Sequence, residues 1–275
     1  MTPADYEYIS NFLLGTSGLA LGSGKEYLVE ARLIPLAQSL GLEGISELVL
    51  ELKKGAELKV TSGVTEAMTT NETSFFRDKT PFEELKNQII PNLMEARKTS
   101  KRLKIWCAAA ATGQEPYTIS MILDDEFPQL RDWTVEILAT DIDQQALERS
   151  RSGIYTQFEM QRGLPIQMLM KYFEQIETGW QIKENMRNTI QWKQLNLLDN
   201  FNHLGKFDII FCRNVLIYFQ QETKKDILDR FRTMIQDDGY LYLGAAETVL
   251  GITEAFDRIR EYKSAVYVPA VGVRV

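Results

Sequence analysis

A run of small residues marks a place where a ligand could lie. The stretch IWCAAAATGQEP, at 105–116, joins a short apolar segment to the carboxylate of Glu115. The loop after the first strand of an open α/β sheet commonly holds a ligand. A dinucleotide loop carries G-x-G-x-x-G because its backbone must approach a pyrophosphate closely, but this loop has only Gly113. A carboxylate attracts a cation, so we expect a cationic ligand; alternatively, the alanines pack the helix and Glu115 simply opens it.

An acidic residue follows the second apolar segment, ILATDID. In this kind of fold such a residue commonly hydrogen-bonds the hydroxyls of a ribose, so we expect Asp141 to bind a nucleoside sugar. Asp143 is suited to cap the next helix, and a cap or turn role is also the alternative for Asp141. Asn196, in QLNLLD, could reach a base, although taken alone it fits a turn asparagine better.

The apolar segment FDIIFC ends abruptly at Arg213. A guanidinium that leaves an apolar strand is costly unless it meets an anion or hydrogen-bond acceptors. We therefore expect Arg213 and Tyr218 to hold a carboxylate. The alternative is an internal salt bridge, for which Glu222 and Asp226 are candidates.

The polar stretch TTNETSFFRD, at 69–78, ends in two phenylalanines and an arginine. If this stretch is helical, Thr73 and Arg77 share one face, with the phenylalanines as anchors. The alternative is a capped linker whose aromatic side chains enter a core.

The elements that must position these residues change in character near residue 100. Apolar residues at three- and four-residue spacing predict an all-helical domain over 1–68. A polar linker over 69–80 contributes to the site, and a helix over 81–97 opens the second domain, which runs to 275. From Lys101, short apolar strands alternate with helices, which predicts an α/β fold with a mostly parallel, doubly wound sheet. Residues 176–195 predict a β-hairpin, and FDRIREYKSAVYVP predicts two more strands joined near Lys263.

Composition argues against several classes of protein. The net charge of −7 speaks against a nucleic-acid partner. No apolar run approaches the roughly 18 residues that span a bilayer, and the start, MTPADYEY, lacks the pattern of a signal peptide. Cys107 and Cys212 end apolar segments, which predicts buried free thiols, and a single histidine argues against a zinc site. We therefore expect a cytoplasmic protein without a metal.

Five sequence blocks occur in a characteristic order: T-x-N-x-T-x-F-F-R, W-x-A-A-x-x-T-G-x-E-P-Y, D-I-D, N-L-L and F-C-R-N-V-x-I-Y-F. With them, the chain resembles the CheR family of chemotaxis-receptor glutamate O-methyltransferases over essentially its whole length. The resemblance implies a Rossmann-like methyltransferase sheet with a small antiparallel β-subdomain, preceded by the all-α domain. It also implies S-adenosyl-L-methionine as methyl donor and S-adenosyl-L-homocysteine as product. A sulfonium cation without phosphate suits a loop with one glycine and a carboxylate.

The resemblance also assigns roles by matching position. Asp141 would bind the ribose, Glu115 the amino-acid part of the donor, and Asn196 with Leu197 the adenine. Arg77, Arg213 and Tyr218 would orient the acceptor carboxylate. The full donor-binding set that the resemblance implies is Asn71, Thr73, Arg77, Glu115, Asp141, Asn196, Leu197, Cys212 and Arg213.

The implied partners are the cytoplasmic helical domains of chemotaxis receptors, in sensory adaptation. The implied enzyme is a monomer that does not insert into the membrane. In some family members the hairpin region adds a receptor's C-terminal peptide to its edge strand, and in those members the region is longer. Here EQIETGWQIKENMRN is compact and holds only Gly179, so we expect methylation without a tethering peptide. The second N-terminal helix carries only Lys25 and Arg32, fewer cations than many relatives have there.

Three alternatives remain open from the sequence. A nicotinamide-dependent oxidoreductase could use a similar sheet, although the second and third glycines of its loop are missing. A catalytically silent adaptor could use the fold to bind receptors. The same methyl transfer could also serve a receptor system outside chemotaxis.

Overall fold

The computed structural model describes residues 1–272, which form two compact units. The first unit contains Met1–Thr70 together with Tyr218–Thr223. The second contains Asn71–Ile217 and the described residues from Lys224 onward. The predicted linker, 69–80, straddles the division after Thr70. Residues 273–275, at the end of the predicted methyltransferase domain, lie outside the described residues.

Residues 1–70 form helices around a core of their own. A capping box between Thr2 and Asp5 starts the first helix, and Gly18, in the left-handed conformation at φ 74°, ends it. The fourth helix was missed in the sequence, because Val64, Thr65 and Met68 are its only buried residues and give too short an apolar pattern. The helices are α1 (Pro3–Ser17), α2 (Glu26–Ser39), α3 (Ile45–Lys53) and α4 (Leu58–Met68).

The predicted helix over 81–97 is the first helical segment of the second unit and contains a π turn. It comprises α5 (Thr80–Glu84), the π turn Leu85–Ile89 and α6 (Ile90–Ala96). Pro91 explains the irregularity, since its ring lacks an N–H and conflicts with the carbonyl of residue 87 in a regular helix. The widened turn just before the proline relieves that conflict.

The described part of the second unit contains a seven-stranded sheet in the order β6-β2-β1-β7-β8-β10-β9. Its pairings are parallel except those of β10, which runs antiparallel to β8 and β9. The predicted mostly parallel, doubly wound sheet and the two added C-terminal strands are therefore confirmed. The strands are β1 (Arg102–Ala108), β2 (Thr134–Asp141), β3 (Ile154–Tyr155), β4 (Phe173–Ile176), β5 (Gly179–Ile182), β6 (Ile190–Gln194), β7 (Phe207–Cys212), β8 (Ile235–Leu243), β9 (Phe256–Arg258) and β10 (Val266–Pro269).

Three short strands form a separate antiparallel sheet in the order β3-β5-β4. The predicted bounds of the hairpin, 176–195, are therefore wrong, because the observed hairpin begins and ends earlier in the chain. The hairpin joins β4 to β5, whereas β6 pairs in parallel with β2 in the main sheet, where Ile190 lies opposite Ile137. The apolar pattern of a strand does not say which sheet it joins, and this explains the error.

Helices alternate with the strands of the second unit, as the sequence pattern predicts. Asp143 caps α8, because its carboxylate accepts a hydrogen bond from the Ala146 amide at 3.0 Å. This confirms the predicted cap. The helices are α7 (Gln114–Glu126), α8 (Gln144–Ser152), α9 (Gln157–Gln161), α10 (Ile166–Tyr172), α11 (Glu184–Arg187) and α12 (Gln221–Met234).

Candidate functional site

The main sheet has a topological switch point between β1 and β7. From β1 the chain passes to β2 on one side, and it later returns to β7 on the other side. Ligands of open α/β sheets bind in the crevice outside the carboxyl ends of the strands at such a point. Here those ends are Ala108, Asp141 and Cys212, which belong to the three predicted site stretches.

The loop after β1 takes a strained backbone path without a glycine-rich sequence. Ala109 and Ala111 are left-handed at φ 61° and 49°, and Gly113 has φ 92°. A left-handed alanine costs on the order of 1 kcal/mol, so other contacts must hold the loop. Asp141 accepts from the Ala111 amide at 2.8 Å, and the Ser150 hydroxyl donates to the Ala111 carbonyl at 3.1 Å.

Asp141 is a buried carboxylate that retains hydrogen-bonding capacity. It is 6% exposed, and its two oxygens accept from the amides of Ala111 and Asp143 at 2.8 and 2.9 Å. Burial raises the pKa of Asp141 to about 6, although these amide bonds act to lower it. Each oxygen keeps a second lone pair, so the group can also accept hydrogen bonds from two neighbouring hydroxyls.

Arg213 forms an ion-pair cluster with Glu115 and Asp78, here called the Arg213 cluster. Its Nη1 lies 2.6 Å from Glu115 Oε2, and its Nη2 lies 2.6 Å from Asp78 Oδ2. Nη2 also donates to the Arg77 carbonyl at 3.2 Å. The side chain is 2% exposed, and its guanidinium lies 5.5 Å from the ring centroid of Phe82. The Nε atom is buried without a partner among the described residues.

The cluster corrects one detail of the sequence interpretation. Arg213 does form an internal salt bridge, but its partners are Glu115 and Asp78 rather than Glu222 or Asp226. Asp226 instead pairs with Arg230, four residues later on α12. The role of Arg213 in orienting an acceptor carboxylate stays a prediction. The structure adds that the Arg213 guanidinium is already paired with two carboxylates of the protein.

The segment over 71–79 is not helical, so the conditional helix for Thr73 and Arg77 is wrong. Phe76, Asp78 and Lys79 are left-handed at φ 51°, 68° and 51°. Thr73 and Arg77 nevertheless line the same cavity of about 540 Å³. Tertiary contacts fix this backbone.

Two of these contacts come from α7 and from the loop after α9. The Phe76 amide donates to the Thr118 hydroxyl at 3.2 Å. A Cβ on Gly163 would lie 2.2 Å from the Phe75 carbonyl oxygen, so only glycine permits that approach.

Asn71 and the stretch around Asn196 both lie next to the end of β2. Asn71 Nδ2 donates to Asp143 Oδ2 at 2.5 Å. The Leu195 amide donates to the Asp141 carbonyl at 2.9 Å. Asn196 Oδ1 accepts from the Leu198 amide at 3.0 Å, which is the geometry of a turn asparagine and agrees with the alternative reading.

The remaining predicted residues differ in their setting. Cys107 and Cys212 are buried free thiols, as predicted. Burial raises the pKa of both thiols, which favours the uncharged, less reactive form at these strand ends. Leu197 is buried. Tyr218 belongs to the first unit, where its carbonyl accepts from the Ala20 amide at 3.0 Å.

Glu247 is a site-shaping residue that the sequence interpretation missed. Its carboxylate accepts from the amides of Asn214, Val215 and Gly244 at 2.8, 2.9 and 2.6 Å. It thereby fixes the loop after Arg213, in which Asn214 is left-handed at φ 61°. The sequence signal for Glu247 was its position just after the apolar segment YLYLGA. The same kind of position, at the end of an apolar segment, pointed to Asp141.

Several features of other site classes are missing from residues 1–272. No group of three histidine, cysteine or acidic side chains in them could hold a metal ion. His203 is exposed, with Nε2 2.8 Å from Lys193 Nζ. None of the helices in these residues is long and apolar enough to cross a membrane.

The crevice suits a positively charged nucleoside better than a dinucleotide. Its first loop offers no glycine-rich phosphate cradle, Asp141 retains acceptor capacity for ribose hydroxyls, and Glu115 supplies a carboxylate. A doubly wound sheet with these strand ends fits the class of S-adenosylmethionine-dependent methyltransferases.

Comparisons with known proteins identify the family within this class. Residues 71–265 match the S-adenosylmethionine-binding domain of CheR methyltransferases, and residues 4–61 match their all-alpha domain. Chemotaxis protein methyltransferase 1 of Pseudomonas aeruginosa is 40% identical over 96% of this chain and 97% of its own. Chemotaxis protein methyltransferase Cher2 of Pseudomonas putida is 39% identical over 96% of this chain and 97% of its own. The chain belongs to the CheR methyltransferase family and is an S-adenosylmethionine-dependent chemotaxis protein methyltransferase.

Proposed function

We propose that the protein methylates glutamate side chains of chemotaxis receptors, forming glutamyl methyl esters that serve sensory adaptation. The Arg213 cluster carries this proposal. A guanidinium at the switch point can donate a hydrogen bond to a carboxylate, but Glu115 and Asp78 already balance its charge at 2.6 Å each. Such a cation can orient an acceptor without holding it tightly. This matters because a strong ion pair in the ground state would slow the transfer.

The proposed reaction needs no general base. At pH 7 only roughly one glutamate in 500 is protonated, from an ordinary pKa near 4.3, so the nucleophile is already ionised. S-adenosylmethionine supplies a methyl group on a sulfonium cation. The protein then contributes positioning, which can supply about 7–11 kcal/mol, and exclusion of water. The exposed setting of His203 fits a reaction without a histidine base.

The proposed residue roles follow the order of the strands. Asp141 accepts the ribose hydroxyls at the end of β2, with Asn71 and Thr73 nearby in the chain segment that enters the unit. Asn196 and Leu197 flank the adenine after β6. The residues next to the methionine part are Glu115, Cys212, Arg213 and Arg77, and those that orient the acceptor carboxylate are Arg77, Arg213 and Tyr218.

We further propose that receptors dock without Arg32 and without a C-terminal tether. Both terminal nitrogens of Arg32 are used inside the first unit, where Nη1 donates to the carbonyls of Met68 and Thr69 at 2.7 Å each. Strands β4 and β5 are joined by residues 177–178 alone, which leaves no inserted loop to grip a peptide that adds to the edge strand. The proposed enzyme acts as a cytoplasmic monomer on the helical domains of receptors.

Labelled donor with receptor-rich membranes tests the reaction. We expect the wild type to place a base-labile label on receptor protein, released as methanol, and Asp141→Ala to lose most of it. A label that resists base would contradict a methyl ester. Receptor binding without any label would instead indicate an adaptor. In calorimetry, S-adenosyl-L-homocysteine should bind with micromolar or tighter affinity; comparable binding of NADH would contradict the donor assignment.

A further inference from the structure

A cavity lies on the side of the switch point away from the residues predicted to bind the ribose and the adenine of the donor. Asp141 and Asn196 lie at the ends of β2 and β6. The cavity, of about 460 Å³, instead lies over β7, β8 and β10, where Arg213, Leu243 and Tyr267 contribute to its lining. The strand order therefore separates a donor side from a second open side.

Arg213 connects the two sides. It pairs with Glu115 at 2.6 Å and also lines the cavity. The carboxylates at the cavity are both engaged, since Asp78 pairs with Arg213 at 2.6 Å and Glu247 accepts backbone amides. The oxygens of both carboxylates are thus committed to these partners, and the charge of Asp78 is balanced by Arg213.

Two cations at the cavity lack such partners. Arg258 and Lys263 are exposed, and neither side chain forms an ion pair within residues 1–272. The backbone beneath Lys263 is anchored, because its amide donates to Glu84 Oε1 at 2.7 Å. In a protein with a net charge of −7, these are two exposed positive charges that can attract anions.

We propose that this cavity admits the acceptor glutamate, and that Arg258 and Lys263 bind acidic side chains flanking it in the receptor. The occupant is an acidic polypeptide segment, with one carboxylate directed toward Arg213 and others at the exposed cations. This inference rests on the proposed function and adds specificity residues to it.

The charge of the neighbouring groove supports this placement. A groove of about 1520 Å³ along α12 adjoins the cavity and shares Thr248, Arg258 and Tyr267 with it. Among the described residues, cations outnumber carboxylates in the cavity, but carboxylates outnumber cations in the groove. An acidic segment is therefore favoured at the cavity. The charged residues of the groove are Lys225, Arg258, Arg260, Asp229, Glu254, Asp257 and Glu261.

Neutral variants test the role of the two cations. In the full protein, Arg258→Gln with Lys263→Gln should raise KM for the receptor about threefold to tenfold, as expected for two exposed ion pairs. It should leave kcat and the affinity for S-adenosyl-L-homocysteine unchanged. Raising the salt concentration should increase the KM of the wild type toward that of the double variant. Arg258→Lys keeps the positive charge, so its KM should stay close to that of the wild type.

Arg260→Gln is the matched control, since Arg260 is exposed two residues away and does not line the cavity. It should behave as the wild type. A double variant with unchanged KM, or with weaker binding of S-adenosyl-L-homocysteine, would overturn the inference.

A binding measurement separates this inference from the proposed function. A fluorescent glutamate-rich peptide should bind the wild type in the presence of S-adenosyl-L-homocysteine, and bind the double variant several-fold more weakly. If the wild type forms no methyl ester, the proposed reaction fails, but the peptide result still decides whether the cavity binds acidic chains. Equal binding by both proteins would refute the acidic-segment site.

Discussion

The buried carboxylate of Asp141 should make the stability of the second unit depend on pH. Burial raises the pKa of Asp141 from an ordinary 3.8 to about 6. The folded state then binds the proton more tightly than the unfolded state. The stabilisation from this group is therefore full below about pH 4 and is lost as the pH rises through about 6. Asp141→Asn keeps the shape of the side chain and removes this titration.

The size of the effect follows from the two pKa values. A shift of about two units at 1.36 kcal/mol each corresponds to about 3 kcal/mol over the whole pH range. Between about pH 5 and pH 7.5, the free energy of unfolding of the wild type should fall by about 1.4 kcal/mol relative to the variant. The asparagine also turns its N–H₂ group toward one of the backbone amides that donate to Asp141. The lost hydrogen bond lowers the free energy of unfolding by about 1–3 kcal/mol at every pH.

Urea unfolding at several pH values measures this difference. The four tryptophans lie between residues 106 and 192, so their fluorescence reports the second unit. The control is Asp132→Asn, which removes an exposed carboxylate. It should change the free energy of unfolding by less than about 0.5 kcal/mol throughout.

The slope of the difference decides the outcome. A constant difference between wild type and Asp141→Asn would mean that burial does not raise the pKa of Asp141. A difference that grows in favour of the wild type with rising pH would mean that the amide bonds outweigh burial. Either result would remove the case for a strongly desolvated carboxylate at the end of β2.

Three further predictions address the site, the loop and the partner. Arg213→Ala should lower methyl transfer more than donor affinity in paired assays, and reduce the free energy of unfolding by about 3 kcal/mol because Glu115 loses its cation. Tyr218→Phe should also lower transfer more than affinity, and equal losses would make these residues mere donor contacts. Gly113→Ala should cost about 2 kcal/mol or more in urea unfolding, since φ is 92° and a Cβ would lie 2.9 Å from a side-chain oxygen of α8; Gly15→Ala in α1, with open space around it, should instead stabilise by about 0.5–1 kcal/mol. Isolated C-terminal peptides of the receptors should bind weakly or not at all in titrations, and receptors without that tail should still be methylated; tight peptide binding would contradict this.

The periodicity of the sequence determined most of the secondary structure. Alternating short apolar segments and helices after Lys101 predicted the doubly wound sheet, and the position of Asp141 at the end of β2 followed from it. Asp143 was recognised as a cap, since capping depends on a few adjacent residues. These features are local, because the spacing of side chains within one element decides which face it buries.

Local patterns failed where packing partners decided the conformation. The strand over 190–194 carries the same kind of signal whether it joins the small sheet or the main one. The segment over 71–79 takes three left-handed residues because Thr118 and Gly163 constrain its backbone from other elements. Nothing in the stretch TTNETSFFRD alone specifies those contacts.

The sequence predicted that Arg213 lies at a strand end and that its guanidinium pairs with an anion. The candidate salt-bridge partners that it suggested were close to Arg213 in the chain. Its actual partners, Glu115 and Asp78, lie 98 and 135 residues away. They meet because β7 pairs with β1, whose following loop leads to Glu115, and because the left-handed turn at Asp78 directs its carboxylate to the same point. Which strand lies beside which is decided by burial over the whole sheet, so only the tertiary structure could assemble the Arg213 cluster.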